Sequence, residues 1–181
     1  MLGFRRKRSG RDLVRTLHER IVEASRHPDL YDAGALPDTT EGRFESLTLH
    51  ALLALRRLRR LPAPADDVAQ DLVDLLFAHL EVALRETGIG DFGVPKRMKK
   101  LAGAFYDRTH RYDVLLDARD AAGLAAEMGG RLQIAAEGLM PVAARILHDD
   151  AALGDASVEA LLTGTSFPPP GLPAGAPRLF P

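Results

Sequence analysis

The stretch that decides the fold is Arg85-Glu-Thr-Gly-Ile-Gly-Asp-Phe-Gly-Val-Pro-Lys-Arg-Met-Lys-Lys-Leu-Ala-Gly-Ala-Phe-Tyr106. It joins two amphipathic segments through three glycines within six residues, Gly88, Gly90 and Gly93. Gly88 stands where the end of a helix needs a residue that tolerates a positive φ. Pro95 stands where the first turn of a new helix tolerates a missing N–H. The stretch therefore predicts a corner between two helices.

Positive charge follows this corner immediately, at Lys96, Arg97, Lys99 and Lys100. Cations at a helix N-terminus oppose the macrodipole, at a cost of up to about 1 kcal/mol each. The arrangement indicates that the helix presents this charge to a partner or lies beside acids elsewhere in the fold. Asp91, just before the helix, is predicted to cap its exposed N–H groups.

Outward from the corner, apolar residues recur at steps of three and four, and alternating β-branched runs are absent. This spacing predicts four helices, over residues 12–27, 38–60 and 66–87 and from residue 94 past residue 112. The second is predicted to begin at an Asp38 cap, with Glu41 three residues later. It is apolar over most of its circumference, which places it at the centre of a bundle.

Beyond residue 119 the helical pattern weakens. Gly129-Gly130 and Pro141 are predicted to divide residues 120–153 into shorter helices, and a last short helix fits residues 155–163. We therefore predict an all-α protein, a single-domain bundle of about six to seven helices with a Pro-rich C-terminal tail. The predicted organisation is a basic N-terminal segment (residues 1–11), a helical domain (12–165) and the tail (166–181).

The second, third and fourth helices are predicted to form the core of this bundle, because their apolar stripes are the most continuous. We expect their large apolar side chains to be buried there, namely Phe44, Leu47, Leu55, Leu76, Leu101 and Phe105.

The composition argues against several kinds of chemistry. The 181 residues include no cysteine, which removes disulfides, thiol catalysis and thiolate metal sites. The six histidines lack metal-binding spacing, and no nucleophile elbow or phosphate loop occurs. The match of residues 88–93 to Gly-x-Gly-x-x-Gly follows a predicted helix and not a strand, so it does not indicate a dinucleotide site. We expect no enzyme activity, no cofactor and no metal, and we interpret His50 and His79 as hydrogen-bonded core histidines.

Charge is distributed unevenly along the chain. Residues 1–60 carry 13 Lys/Arg against 8 Asp/Glu, whereas residues 61–181 carry 11 against 17. Basic clusters occur at residues 5–8, 56–60 and 96–100. Three interpretations stay open for them: solubility, contact with anionic lipid, or contact with RNA.

The N-terminus has two interpretations. Leu2 and Phe4 could enter a membrane interface while the cations beside them contact lipid headgroups; these cations are Arg5, Arg6, Lys7 and Arg8. Alternatively, this segment is a disordered basic end. No apolar stretch is long enough to span a bilayer, and no apolar signal core follows Arg8. We expect a cytoplasmic protein, peripheral on the cytoplasmic face of the inner membrane.

Two separated sets of residues resemble the signatures of the ubiquinol–cytochrome c chaperone family. The first comprises Leu36-Pro-Asp-Thr39, Glu41-Gly-Arg-Phe-Glu45, Leu49-His50 and Leu55-Arg-Arg57. The second comprises Leu84-Arg-Glu86, Gly88, Gly90-Asp91, Gly93-Val94, Lys96-Arg97, Lys99-Lys100, Ala104-Phe-Tyr106 and Arg108. The similarity covers roughly residues 12–116 and is specific, because rare residue types recur in order.

The resemblance implies an all-helical, non-enzymatic chaperone that assists cytochrome b biogenesis in ubiquinol–cytochrome c reductase. Its implied partners are the cytochrome b polypeptide or an assembly intermediate, the ribosome and a small helical protein. The chain begins without an Arg/Ser-rich presequence, so a bacterial member is expected. The alternative function, from a different class, is a ribosome- or RNA-associated binding module that uses residues 56–60 and 96–100.

We predict that the partner-binding residues surround the glycine corner and lie near one another: Arg43, Asp91, Lys96, Lys99, Arg108 and Tyr112. In this arrangement Asp91 caps the fourth helix and pairs with Arg43 or Arg108. The lysines face an anionic or carbonyl-rich partner surface. The alternative is that the cations are only solvated and the glycines only fit a tight helix–helix corner.

Overall fold

The computed structural model describes residues 2–31, 35–86, 88 and 92–163, with side chains from residue 11 onward. These residues form α1 (Leu2–Ser25), α2 (Thr40–Arg59), α3 (Ala65–Glu86), α4 (Val94–Asp117), α5 (Ala121–Leu132), α6 (Ala136–Ala152) and α7 (Val158–Leu162). Two 3-10 turns, Pro28–Leu30 and Leu153–Asp155, connect them, and the described ranges contain no strand. The predicted all-α, single-domain bundle is confirmed.

Helix α2 lies at the centre of the bundle, as predicted. It packs against α1, α3, α4, α5 and α6. Leu49, Leu52, Leu53 and Leu58 are each almost completely buried. Burying one leucine side chain contributes about 1.5–3 kcal/mol, so the wide apolar stripe is what holds α2 in the interior.

The start of α2 differs by one residue from the prediction. The N-cap is Thr39, not Asp38, because the Thr39 hydroxyl accepts a hydrogen bond of 3.2 Å from the N–H of Gly42. The Asp38 carboxylate instead accepts from Arg43. Gly42 is needed here, since a Cβ at this position would lie 2.0 Å from the carbonyl oxygen of Pro37.

The corner between α3 and α4 follows the sequence analysis closely. Gly88 has a φ of +79°, and its N–H donates to the carbonyl of Arg85 at 3.1 Å, which ends α3. Pro95 lies in the first turn of α4, and the N-cap is Gly93. Asp91 lies outside the described residues, so its capping role stays a prediction.

Residues 120–153 divide into two shorter helices as predicted, but the predicted positions of the breaks are wrong. Helix α5 continues through Gly129-Gly130, and α6 contains Pro141. The chain turns at Gln133, whose φ is +57°. Gly129 lets the turn approach closely, because a Cβ there would lie 2.8 Å from the carbonyl oxygen of Ile134. Pro141 removes one helical hydrogen bond, and the burial of neighbours such as Leu139 and Val142 offsets that loss.

The helices at the two ends of the chain also differ from the prediction. Helix α1 begins at Leu2 and not at residue 12, in keeping with the good helix propensity of Arg, Lys and Leu. The side chains of residues 1–10 lie outside the described ones, so the membrane contact of Leu2, Phe4, Arg5, Arg6, Lys7 and Arg8 stays a prediction. Helix α7 starts at Val158 after a Ser157 cap. No helix in the described part of the chain is both long and apolar enough to cross a membrane.

The predicted core is confirmed for Leu76 and Phe105, which are 2% and 4% exposed. Leu55 is half-buried against the core. Full burial is wrong for Phe44, Leu47 and Leu101. These three side chains line an open groove instead.

Candidate functional site

The groove lies between the first four helices and has a volume of about 300 Å³. Apolar side chains form most of its wall, contributed by α1, α2, α3 and α4: Val22, Phe44, Leu47, Leu80, Ala83, Leu84 and Leu101. Arg26 and Arg43 stand among the lining residues, together with His79 and the polar Ser25 and Thr40. An apolar cleft with a few polar groups is the usual form of a binding site.

A buried carboxylate follows the groove residue Phe44 in the sequence. Glu45 on α2 is completely buried. Its Oε2 accepts a hydrogen bond of 2.8 Å from Nε of Arg108, and its Oε1 accepts one from the Tyr112 hydroxyl. Both carboxylate oxygens are therefore paired, as a buried charge requires. Burial and the adjacent Glu45 charge raise the pKa of Tyr112, so the phenol keeps its proton and remains the donor.

This cluster also positions a groove residue. The guanidinium carbon of Arg108 lies 5.0 Å from the ring centroid of Phe44, within the range of a cation–π contact. Because Glu45 fixes Arg108, the Phe44 ring has a fixed support on the side of α4. The wall of the groove is thus coupled to the buried ion pair.

Sequence analysis predicted Arg108 and Tyr112 as neighbours but missed Glu45, which joins them. A signal was available in the spacing: Glu45 lies four residues before Leu49 and seven before Leu52, on the face of α2 that the core covers. A carboxylate on such a face needs a buried partner.

The structure describes three of the other predicted partner-binding residues, Arg43, Lys96 and Lys99. Arg43 is an exposed residue of the groove lining and donates two hydrogen bonds to Asp38, at 2.5 and 3.1 Å, which lower the pKa of the Asp38 carboxyl. Lys96 and Lys99 are exposed on the first turns of α4 and pair with none of the described carboxylates. Since Asp91 lies outside the described residues, its pairing with Arg43 or Arg108 is untested.

The basic cluster at the end of α2 is used inside the protein. Arg56 is 3% exposed and donates hydrogen bonds to Asp113, Asp117 and Asp150. Hydrogen bonds also run from Arg57 to the carbonyl of Ala156, from Arg59 to Asp113 and from Arg60 to Asp117. These contacts tie α2 to α4 and α6, an internal role that sequence analysis did not foresee for residues 56–60.

The two predicted core histidines differ in environment. His50 is buried, and its Nδ1 lies 2.8 Å from the carbonyl oxygen of Ser46, as predicted. His79 is half-buried at the groove, and its ring centroid lies 5.2 Å from that of His18. Nε2 of His18 is buried without a hydrogen-bond partner among the described residues. Burial, followed by the neighbouring His79, lowers the pKa of His18. The described residues contain no group of three potential metal ligands.

Comparisons with known proteins agree with this architecture. Residues 32–166 match the model of the family described as ubiquinol-cytochrome C chaperone. A crystal structure of the Cbp3 homolog from Brucella abortus superposes with a TM-score of 0.79 at 39% identity, covering 89% of this chain and 91% of that chain. No curated protein matches the chain. The family match spans most of the sequence and includes Glu45, the α3–α4 corner and the groove residues that α2, α3 and α4 contribute, so this chain belongs to the ubiquinol–cytochrome c chaperone family.

Proposed function

We propose that this protein is a non-enzymatic chaperone for assembly of ubiquinol–cytochrome c reductase and that its client is the cytochrome b polypeptide or an assembly intermediate containing it. The family match supports the reductase as the destination. The single observation that carries the proposal in the structure is the open apolar groove between the first four helices.

The chemistry of the groove suits a membrane-protein client. Segments destined for a bilayer consist of long apolar stretches, which are exposed to water until they are inserted. A groove lined by Leu47, Leu80, Leu84 and Leu101 can cover several such side chains without a covalent step. Its half-buried leucines are already partly withdrawn from water, and a bound apolar segment would complete their burial.

The polar atoms beside the groove have structural roles. Ser25 donates its hydroxyl hydrogen to the carbonyl of Val22 at 2.9 Å. The carbonyl of Ser25 accepts from the hydroxyls of Tyr31 and Ser46, at 2.6 and 2.9 Å. These bonds fix the end of α1 against α2, which supports a binding surface rather than a reaction centre.

The predicted partner-binding residues take distinct parts in this proposal. Arg43 contacts the client at the groove, Arg108 supports Phe44, and Tyr112 keeps Glu45 paired. Lys96 and Lys99 form a separate cationic surface at the start of α4, which Asp91 precedes in the chain. Contacts with a ribosome or a small helical partner, at the cytoplasmic face of a membrane, belong to the same proposal.

The alternative of an RNA-associated module has less support. Of its two proposed clusters, residues 56–60 direct their guanidinium groups to aspartates and a carbonyl within the fold. Only the cluster at residues 96–100 keeps its cations exposed and unpaired with described carboxylates.

Gene deletion with complementation tests the proposal. Loss of the protein should reduce the amount of assembled reductase, measured by the absorbance of its b-type haem, and normal levels would exclude the proposed function. The groove is tested by Ala83→Arg, which places a long cation into it. The matched control is Val82→Arg, because Val82 is 56% exposed and does not line the groove. Ala83→Arg should fail to restore haem absorbance and Val82→Arg should restore it.

A further inference from the structure

Phe92, two residues before α4, is the most exposed large apolar side chain among those the structure describes. Its relative exposure is 103%, compared with 60% for the next, Val114. A fully exposed phenylalanine leaves its whole ring in water, at a cost that burial elsewhere would remove. Val94, two residues later, is by contrast only 2% exposed.

Four cations follow Phe92 within two helical turns. Lys96, Arg97, Lys99 and Lys100 are all exposed, and the first turn of α4 contains no acid. At about 100° of rotation per residue, the four side chains fan over about 160° of the helix surface. Val94, Leu101 and Phe105 lie on the opposite side, which packs on the core.

The cationic arc differs from the other basic cluster that the structure describes. Arg56, Arg59 and Arg60 pair with aspartates of the fold, whereas no described carboxylate pairs with the four cations at residues 96–100. These cations also oppose the dipole of their own helix. An external anionic surface would offset this unfavourable electrostatic interaction between the cations and the helix dipole.

We propose that Phe92 and the four exposed cations at residues 96–100 form a membrane-docking site, in which the ring enters the interface of an anionic bilayer and the cations contact lipid phosphates. An apolar ring beside a basic arc matches the layering of a bilayer surface, where acyl chains lie beneath charged headgroups. A surface for RNA would instead be expected to interleave several stacking aromatics with its cations, and no aromatic occurs between Lys96 and Lys100.

The docking site is distinct from the groove. Of the residues that line the groove, only Leu101 belongs to α4. A chain held at the bilayer through Phe92 and the first turns of α4 can therefore keep the groove open. The inference does not depend on client binding, so it can fail while the proposed chaperone function stands.

The chain contains no tryptophan, so Phe92→Trp gives a single emission probe at the docking site. The full-length variant is mixed with vesicles of phosphatidylcholine alone or of phosphatidylcholine with phosphatidylglycerol. We expect a blue shift of the emission, and quenching by lipids brominated in their acyl chains, with the anionic vesicles. An emission spectrum that does not change with anionic vesicles, or that changes only with poly(U) RNA, would overturn the proposal.

Vesicle co-sedimentation measures how much the cations and the phenylalanine ring each contribute to membrane binding. Each cation near an anionic surface strengthens binding about five-fold, so Lys96→Gln with Lys100→Gln should weaken it about 25-fold. Phe92→Ser should weaken it about ten-fold. Both variants change exposed side chains, and circular dichroism should show unchanged helix content.

The matched control is Arg111→Gln with Arg119→Gln, which removes the same charge from exposed positions near and just beyond the C-terminal end of α4, on average about 25 Å from the two lysines. That distance exceeds the Debye length of about 8 Å at physiological salt, so vesicle binding should be retained. Equal losses for the two double variants would show a general charge effect and overturn the assignment, as would wild-type binding by both Phe92→Ser and the lysine variant.

Discussion

Nε of Arg108 on α4 donates a hydrogen bond of 2.8 Å to Oε2 of Glu45, a completely buried side chain on α2. The same guanidinium lies over the ring of Phe44, which lines the groove. One interaction therefore joins two helices of the core and supports the wall of the proposed client site. The Glu45–Arg108 ion pair therefore links the stability of the fold to client binding in the groove.

Replacing Glu45 tests this link. Glu45→Ala leaves the Arg108 guanidinium and the buried Tyr112 hydroxyl without their acceptor, and breaking a buried pair in this way costs about 3–5 kcal/mol. We expect that loss in the free energy of unfolding measured with urea. Asp38→Ala is the control, because its partner Arg43 stays solvated and the change should be much smaller. Equal stability of Glu45→Ala and wild type would contradict the structural role of the pair.

Arg56 should control the acid stability of the protein. Arg56→Met removes the ion pair with Asp150 and leaves Asp113 and Asp117 paired only with the exposed Arg59 and Arg60, so it should lower the free energy of unfolding by about 3 kcal/mol at neutral pH. Hydrogen bonds from Arg56 lower the pKa of Asp117 below its usual 3.8. A carboxyl group whose pKa is lower in the folded protein stabilises the fold at pH values above its unfolded-state pKa. This stabilisation is lost as the pH falls through the folded-state pKa.

Wild-type stability should therefore decrease as the pH is lowered below about 3.8, and the decrease should be smaller in Arg56→Met. Urea unfolding at several pH values between neutral and strongly acidic measures both quantities. Parallel pH profiles for the two proteins would show that the aspartates do not depend on Arg56.

His18 should make the fold sensitive to mild acid. Its pKa is lowered in the folded protein by burial and by His79, so the unfolded chain takes up a proton first as the pH falls below the usual 6.5. The contribution of His18 to the free energy of unfolding is then fully present above pH 6.5 and decreases below that pH. His18→Leu removes the buried, unpaired Nε2 and should flatten this profile without loss of stability at pH 7. An unchanged profile in thermal unfolding would assign the pH dependence to other groups, such as the buried His50.

Two adjacent glycines in α5 should respond in opposite directions to alanine. Gly129→Ala places a Cβ 2.8 Å from the backbone oxygen of Ile134, which should cost about 1–3 kcal/mol. Gly130 has open space around its Cβ position, so Gly130→Ala should stabilise the helix by up to about 1 kcal/mol. Denaturant midpoints of the two variants provide the comparison. Equal shifts would contradict the close approach of the turn to α5.

The helical core could be predicted from the sequence wherever the apolar spacing of a helix continued without interruption. The leucines of α2 define its buried face, and Gly88 and Pro95 mark the corner between α3 and α4, because these signals are local. Gly129 and Pro141 misled the prediction for the same reason. Their local cost is real, but tertiary packing between α5 and α6 overrides it.

The candidate site was only partly predictable because its geometry depends on long-range pairing. The partners of Arg56 lie 57 to 94 residues away in sequence, and periodicity contains no information about such pairs. Phe44, Leu47 and Leu101 have the spacing of core residues, yet they border an opening. The packing of neighbouring helices decides whether an apolar stripe is covered. The apolar pattern of a single helix contains no information about that packing.

Site-specific photo-cross-linking during cytochrome b synthesis tests the central claim most directly. Benzoylphenylalanine is introduced at Ala83 in the groove, and at exposed Val82 as the control. The proposed function predicts a covalent adduct with newly made cytochrome b from position 83 and little or none from position 82. Equal adducts from both positions, or adducts only from position 82, would contradict binding of the client in the groove.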